Sequence, residues 1–352
     1  MKDVNSLVRR ALASAKPPSY PIADPSMLRM DANTNLLGLN PVVKRVLAKG
    51  AWKDVNHYPG GLNDGLRAAV AKGYGLHPDE VMVGDGSDEL LDVVMKTFCD
   101  AGDVVAAPVP TFVMYAFYAK LCGARFEGVP LGPAWELDPA KILAKRPKLT
   151  FVASPNNPTG NAHPYAAIEE ILRGTDGIVV VDEAYAEFCG HDWLPRIREF
   201  PNLVVTRTFS KSHGLAGLRV GFAAAGREIM DRLYTAKTPF TISSISERIA
   251  VEAVRDRAYV RATLKMLRAE KPFLERELVK LGFKVWRSDA NFFLVDCPVL
   301  ASDLVKALRK RRILVRYMGE MARLENCFRV TVGRRADNRR LLAALKEILR
   351  AR

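Results

Sequence analysis

Six short apolar runs constrain this chain more than any other feature: VMVG (81–84), VVAAP (104–108), LTFVASP (149–155), IVVVDEA (178–184), LVVTRTFS (203–210) and RVGFAAA (219–225). They do not alternate apolar with polar residues, so a strand built from any of them is covered on both faces. Helical patterns separate them. A mostly parallel sheet with helices on both sides satisfies that arrangement, and the expected fold class is α/β with three layers. Length agrees, since 352 residues suggest two domains, and 49% hydrophobic and 26% charged content is that of a chain able to bury a core.

The pattern changes beyond about Thr241. A long helical stretch is predicted from Ser246 to about Leu281, and FKVWRS, NFFLVDC, RILVRYM and CFRVTVG supply short strands between helices. The expected division is a large domain over 36–240 and a smaller α+β domain over 241–352, completed by an N-terminal arm of residues 1–35.

Composition removes several classes. No apolar stretch reaches the roughly 20 residues a spanning helix needs, and the N-terminal segment lacks the apolar core of a secretory signal, so a soluble cytoplasmic protein with no membrane partner is expected. The five cysteines are scattered without a C-x-x-C pair, and the five histidines show no ligand spacing, so neither a disulfide framework nor a metal site is expected. Cys189 follows an acidic motif, but no His stands nearby in sequence to activate it, and a reduced core thiol is the plainer reading. The net charge of +14 is concentrated at the C-terminus, where residues 301–352 hold 15 Lys and Arg against five Asp and Glu. Runs such as DLVKALRKRR carry these cations at helical spacing, as a solvated helix face does. No nucleic-acid-binding motif accompanies them, so no nucleic-acid partner is expected.

In open parallel sheets, ligands bind beyond the carboxyl ends of the strands. Four of the runs lead there into polar clusters: GDGSDE, SPNNPTG, DEAY and TFSKSHGLAGLR. Gly86, Ser87 and Asp88 lie where a strand passes into a helix, so backbone amides and the helix dipole favour an anion, although an ordinary helix start reads the same way. Lys211 follows a buried strand, where desolvation favours the neutral, nucleophilic amine, although by itself an exposed loop lysine reads the same way. Asp182 ends another, and a buried carboxylate there needs a partner that the local sequence does not supply. Asn156 and Asn157, between Pro155 and Pro158, suit either a ligand contact or a plain turn.

Taken in order, SPNNPTG, VVVDEAYAEF and TFSKSHGLAGLRVGF resemble the fold type I pyridoxal-phosphate aminotransferases, with Asn157 and Asp182 25 positions apart and Asp182 and Lys211 29 apart. DANTN (31–35), HYPGG (57–61), GDGSDELLD, PVPTFVMY (108–115) and FRVTVG (328–333) extend the likeness over nearly the whole chain, and the branch most similar is that of the histidinol-phosphate aminotransferases. The resemblance departs at Asn33-Thr34-Asn35-Leu36, where the branch usually reads more like NENP, and at Phe112, where it usually has Tyr.

The resemblance implies pyridoxal 5'-phosphate as cofactor, with Lys211 binding its aldehyde as an imine and then moving a proton. It implies Asp182 at the pyridine nitrogen, Asn157 and Tyr185 at the phenolic oxygen, and Phe112 stacked on the ring. The phosphate is implied to meet Gly86, Ser87, Asp88, Ser210 and Arg219, supported by Thr208 and, from the neighbouring subunit of a homodimer with shared sites, by Tyr58. Arg329 is implied to take the substrate's distal anion, while Arg316, Tyr20 and Asn33 are further substrate candidates. The expected small-molecule partners are an amino donor and a keto acceptor: glutamate and imidazole-acetol phosphate, with 2-oxoglutarate and L-histidinol phosphate as products. Relatives with similar motifs handle aromatic amino acids or decarboxylate phosphothreonine, and a regulator that binds the cofactor or nucleic acid without turnover is the reading from another class.

Overall fold

A computed structural model describes residues 7–9, 12, 24 and 26–351. A short strand β1 (Leu28–Arg29) and two helices, α1 (Pro41–Ala48) and α2 (Asp64–Tyr74), precede the large sheet. That sheet holds β2 (Val81–Asp85), β3 (Val104–Val109), β4 (Arg125–Pro130), β5 (Leu149–Ala153), β6 (Ile178–Asp182), β7 (Leu203–Thr208) and β8 (Val220–Ala225), in the spatial order β2-β8-β7-β6-β5-β3-β4. All pairs are parallel except those made by β8, which runs antiparallel to both its neighbours.

The helices α3 (Gly86–Phe98), α4 (Met114–Cys122), α5 (Pro139–Leu143) and α6 (Tyr165–Gly174) lie in the connections between strands, and α7 (Arg227–Ala236) follows β8. Alternate strand residues divide between the two faces, as a pleated sheet requires. Val179, Val181, Val205 and Phe222 pack with Val42, Leu66, Ile168 and Ile171 on one side. Val180, Val204 and Phe151 pack with Leu90, Leu91, Ala119 and Met230 on the other. The two apolar faces make the expected α/β three-layer architecture. β4 is the strand the sequence did not reveal. It lies at the sheet edge with exposed Arg125 and Gly128, so it lacks the two-sided apolar signal of its neighbours.

The expected helix from Ser246 to Leu281 is two helices, α8 (Ser244–Arg255) and α9 (Ala258–Lys280). The break is local chemistry: the Asp256 amide closes α8 onto Glu252, and its carboxylate accepts a 3.0 Å hydrogen bond from the Ala258 amide at the start of α9. Ile249, Ala250 and Val254 of α8 pack with the large-sheet core.

After α9 come β9 (Lys284–Val285), β10 (Phe292–Asp296), α10 (Ala301–Lys310), β11 (Ile313–Leu314), β12 (Arg316–Tyr317), β13 (Cys327–Thr331) and α11 (Arg335–Arg350). An antiparallel sheet in the order β12-β13-β10-β9 carries Phe293, Phe328 and Val330, which bury against Leu274, Leu304, Leu341 and Leu345. β1 pairs with β11, and Met30 joins this second core.

Candidate active site

A cavity of roughly 240 Å³ opens beyond the carboxyl ends of β5, β6 and β7, lined also by Ala32, Asn33, Ser87, Asp88, Phe112, Arg219 and Arg329. The topology explains its composition. Parallel strands bring their terminal polar residues to one edge, while the segment around Asn33 and the strand β13 close the cavity from the side of the antiparallel sheet.

Lys211 stands just beyond β7 and reaches into the cavity, where its Nζ donates to the Ala32 carbonyl at 3.1 Å. Burial, reinforced by the Arg329 cation, pushes its amine down to about 8. Asp182 ends β6 and is buried. The Tyr115 hydroxyl donates to its Oδ2 at 2.7 Å, while the Ala184 amide and the Thr206 hydroxyl donate to Oδ1 at 3.1 and 3.4 Å. Desolvation raises the carboxyl above its ordinary range and these donors oppose it. The partner that the local sequence around Asp182 did not supply is thus Tyr115, 67 residues away.

Asn33 sits at φ 54°, a backbone conformation Asn tolerates, and its Nδ2 donates to the Tyr185 hydroxyl at 3.0 Å. Its own amide donates to Thr331 Oγ1 at 3.0 Å, tying this segment to β13. Arg329 on β13 donates from Nη1 to Asn157 Oδ1 at 2.5 Å and from Nη2 to the Asp31 carbonyl at 2.6 Å. Its Nε has no partner among the described residues, and burial lowers its pKa.

At the opposite end, Ser87 and Asp88 begin α3, and the Thr208 hydroxyl donates to Ser210 Oγ at 3.0 Å. Arg219, at φ 50°, donates to Asp88 Oδ2 at 2.9 Å. Glycine is required here. Gly86 has φ +72° and any Cβ would lie 2.5 Å from Arg219 Nη2, while a Cβ on Gly221 would meet the Ser87 amide nitrogen at 2.6 Å. The Gly86 amide donates to the Arg219 carbonyl at 3.1 Å, and no side-chain cap closes the start of the helix at Asp85, so the amides of Ser87 and Asp88 are the ones that face the cavity.

Behind the site, buried Glu183 accepts from Arg207 Nη2 at 2.7 Å and from the Trp193 amide at 2.8 Å, clamping the ends of β6 and β7 together. Cys189 is outside the cavity, and burial pushes its thiol up to about 11, which disfavours the nucleophilic thiolate.

Two predicted residues are elsewhere. Arg316 is exposed on β12 and lines an adjoining cavity of roughly 400 Å³, which shares Ala32, Phe112, Asn157 and Arg329 with the first. Tyr58 is 84% exposed and packs against Phe240, ring centroids 5.0 Å apart, away from this chain's own cavity. Tyr20 lies outside the described residues. Tyr115 and the Ala32 carbonyl were missed. A spacing of three between Phe112 and Tyr115 at a helix start was the available signal for the first; nothing local signals the second.

Residues 25–345 match the family model described as aminotransferase class I and II. The histidinol-phosphate aminotransferase of Thermococcus gammatolerans is 41% identical over 324 residues, covering 91% of this chain and 92% of that protein. That of Thermoanaerobacter pseudethanolicus is 38% identical over 353 residues, covering 98% and 99%. Among solved structures, the histidinol-phosphate aminotransferase of Sinorhizobium meliloti in complex with pyridoxal-5'-phosphate superposes with a TM-score of 0.86 at 27% identity, covering 92% of this chain and 91% of that one.

Proposed function

This chain belongs to the class I and II aminotransferases, and from that membership we propose that it moves an amino group from glutamate to imidazole-acetol phosphate, giving 2-oxoglutarate and L-histidinol phosphate in two half-reactions. The observation that carries the chemistry is the convergence of Lys211, with its depressed pKa, and buried Asp182 on one cavity. Relatives at 38–41% identity over more than nine-tenths of the chain support the substrate.

The donor set fits pyridoxal phosphate: an amine, a carboxylate held by a tyrosine, and an anion cradle bared by Gly86 and Gly221. When bound, that group supplies an aldehyde to carry the amino group and a ring to delocalise the electrons left on the substrate carbon. Lys211 would hold the aldehyde and, once displaced, carry the proton to and from the substrate carbon. Asp182 would keep the ring nitrogen protonated, and Asn157 and Tyr185 would donate to the phenolic oxygen. Phe112 would cover one ring face. The Ser87 and Asp88 amides, the Ser210 hydroxyl and Arg219 would hold the phosphate, with Gly86 leaving room for its approach and Thr208 orienting Ser210. Arg329 would take a substrate carboxylate or phosphate, with Asn33 beside it and Arg316 farther out along the adjoining cavity.

The protein would act in the cytoplasm as a homodimer. Trp52, Val55, Tyr58, Leu62 and Phe240 are exposed apolar side chains around the α1–α2 connection and residue 240, a surface suited to a second copy. No helix of the described residues is long and apolar enough to cross a membrane.

The deciding experiment loads purified protein with pyridoxal phosphate and follows the cofactor spectrum as L-histidinol phosphate is added. A half-reaction is expected, without release of carbon dioxide. A spectrum unmoved by histidinol phosphate but moved by an aromatic amino acid, or carbon dioxide evolved from phosphothreonine, would reassign the substrate. Duplex DNA binding with no turnover of any donor would make it a regulator.

A further inference from the structure

Tyr115 is the one titratable side chain, among the described residues, hydrogen-bonded to Asp182. Its ring lies parallel to Phe151 (interplanar angle 3°, centroids 4.7 Å apart) and takes the edge of Phe112 at 5.6 Å and 84°. The ring is fully buried and packed on two aromatic neighbours, which hold the hydroxyl toward Asp182. Phe112 and Tyr115 leave the chain within one turn, the Tyr115 amide donating to the Phe112 carbonyl at 3.3 Å. One aromatic unit thus joins the expected ring platform to the carboxylate. The platform residue itself, being Phe, has no hydroxyl to offer.

We infer that Tyr115 is a positioning residue that fixes on which side of the pair formed by Asp182 and the cofactor ring nitrogen the shared proton sits. The inference rests on the cofactor reading above. A carboxylate oxygen that already accepts a short hydrogen bond has less affinity for a proton. With Oδ2 engaged by Tyr115 and Oδ1 by the Ala184 amide and Thr206, Asp182 stays ionised despite its burial, and the proton remains on the ring. Without the hydroxyl, desolvation dominates and the proton moves toward Asp182. The other charged or titratable groups around this carboxylate are Asp88 from α3, which favours its protonated form, Tyr118 from α4, and Lys211 and Tyr185 from the cavity wall. None of these hydrogen-bonds to either oxygen among the described residues.

The test is the holoenzyme of Tyr115→Phe, loaded with pyridoxal phosphate labelled with ¹⁵N in the ring. Its nitrogen resonance and steady-state kinetics are compared with wild type from about pH 6 to about pH 8.5. The expected result is a protonated signal in wild type and a shift toward the unprotonated position in the variant. A fall of about tenfold in kcat should accompany it, with KM for glutamate little changed, the equivalent of one pKa unit across the pair. Replacing Tyr115 by 3-fluorotyrosine, a stronger donor of nearly the same shape, should leave the nitrogen protonated to higher pH than in wild type, which a packing role would not produce. A Tyr115→Phe enzyme with an unmoved resonance and kcat within about twofold of wild type overturns this inference alone. A wild-type protein that takes up no pyridoxal phosphate overturns it together with the proposed function.

Discussion

Arg329 on β13 hydrogen-bonds to Asn157, in the loop after β5, through Nη1 and Oδ1 2.5 Å apart. The contact crosses from the antiparallel sheet to the loop beyond a strand of the large sheet. An anion recognised by the Arg329 fork is thereby coupled to a residue expected to touch the cofactor. Arg329→Lys keeps the charge but loses the fork, so kcat/KM for glutamate should fall about a hundredfold, or about 2.7 kcal/mol, mostly through KM. Steady-state kinetics with glutamate and with a donor lacking the distal carboxylate check this, since the second donor should be affected far less.

The buried Lys211 amine gives a pH dependence with a definite sign. Its pKa in the folded protein, about 8, lies below the ordinary lysine value, so the nucleophilic form accumulates as pH rises. The rate at which cofactor-free protein combines with pyridoxal phosphate should climb with pH and level off above about 8. The same shift means the protonated amine destabilises the fold below that pH and does so less and less as pH rises toward the unfolded value of about 10.4. Lys211→Met should therefore raise the melting temperature of cofactor-free protein near neutral pH, with the advantage fading toward pH ~10. Borohydride should fix the cofactor to wild type and leave the variant unlabelled.

Gly221 tests the anion cradle without touching a charged group. A methyl group there would lie 2.6 Å from the Ser87 nitrogen and 2.7 Å from the Gly86 carbonyl carbon, both backbone atoms that cannot turn aside. Gly221→Ala should displace the start of α3, weaken pyridoxal-phosphate affinity by at least about tenfold in equilibrium dialysis, and cost about 1–3 kcal/mol in chemical unfolding. An unchanged affinity would remove the α3 amides from the phosphate site.

Tyr58 is exposed and outside the cavity of its own chain, so its expected role requires a partner's site. Tyr58→Ala and Lys211→Ala should each be strongly impaired alone. Unfolded together at equal amounts and refolded, they should recover about a quarter of wild-type activity, because hybrid dimers carry one site free of both changes. No recovery from a mixture shown to contain hybrids would place Tyr58 outside the shared site.

Legibility from sequence followed the physics of each element. Strands buried on both faces, such as Val179–Val181, are apolar throughout and stood out, whereas the edge strand β4 is half solvated and did not. The helix break at Asp256 was hidden because its cap is made by one side chain inside a continuous amphipathic pattern. Lys211 and Asp182 were legible because each is a polar residue at the end of an apolar strand, where its type conflicts with its surroundings.

What the sequence determined by itself was which residues end the strands of a covered parallel sheet, and hence the edge where chemistry gathers. The motif order further carried the resemblance to an aminotransferase. Tertiary structure alone decided that Tyr115 holds Asp182, that the Ala32 carbonyl receives the Lys211 amine, and that Arg329 meets Asn157 rather than Arg316 doing so. The reason is range. Periodicity and capping act over a turn or two of chain, while these contacts join residues 67, 179 and 172 positions apart, fixed only when the helices and the second sheet pack against the first.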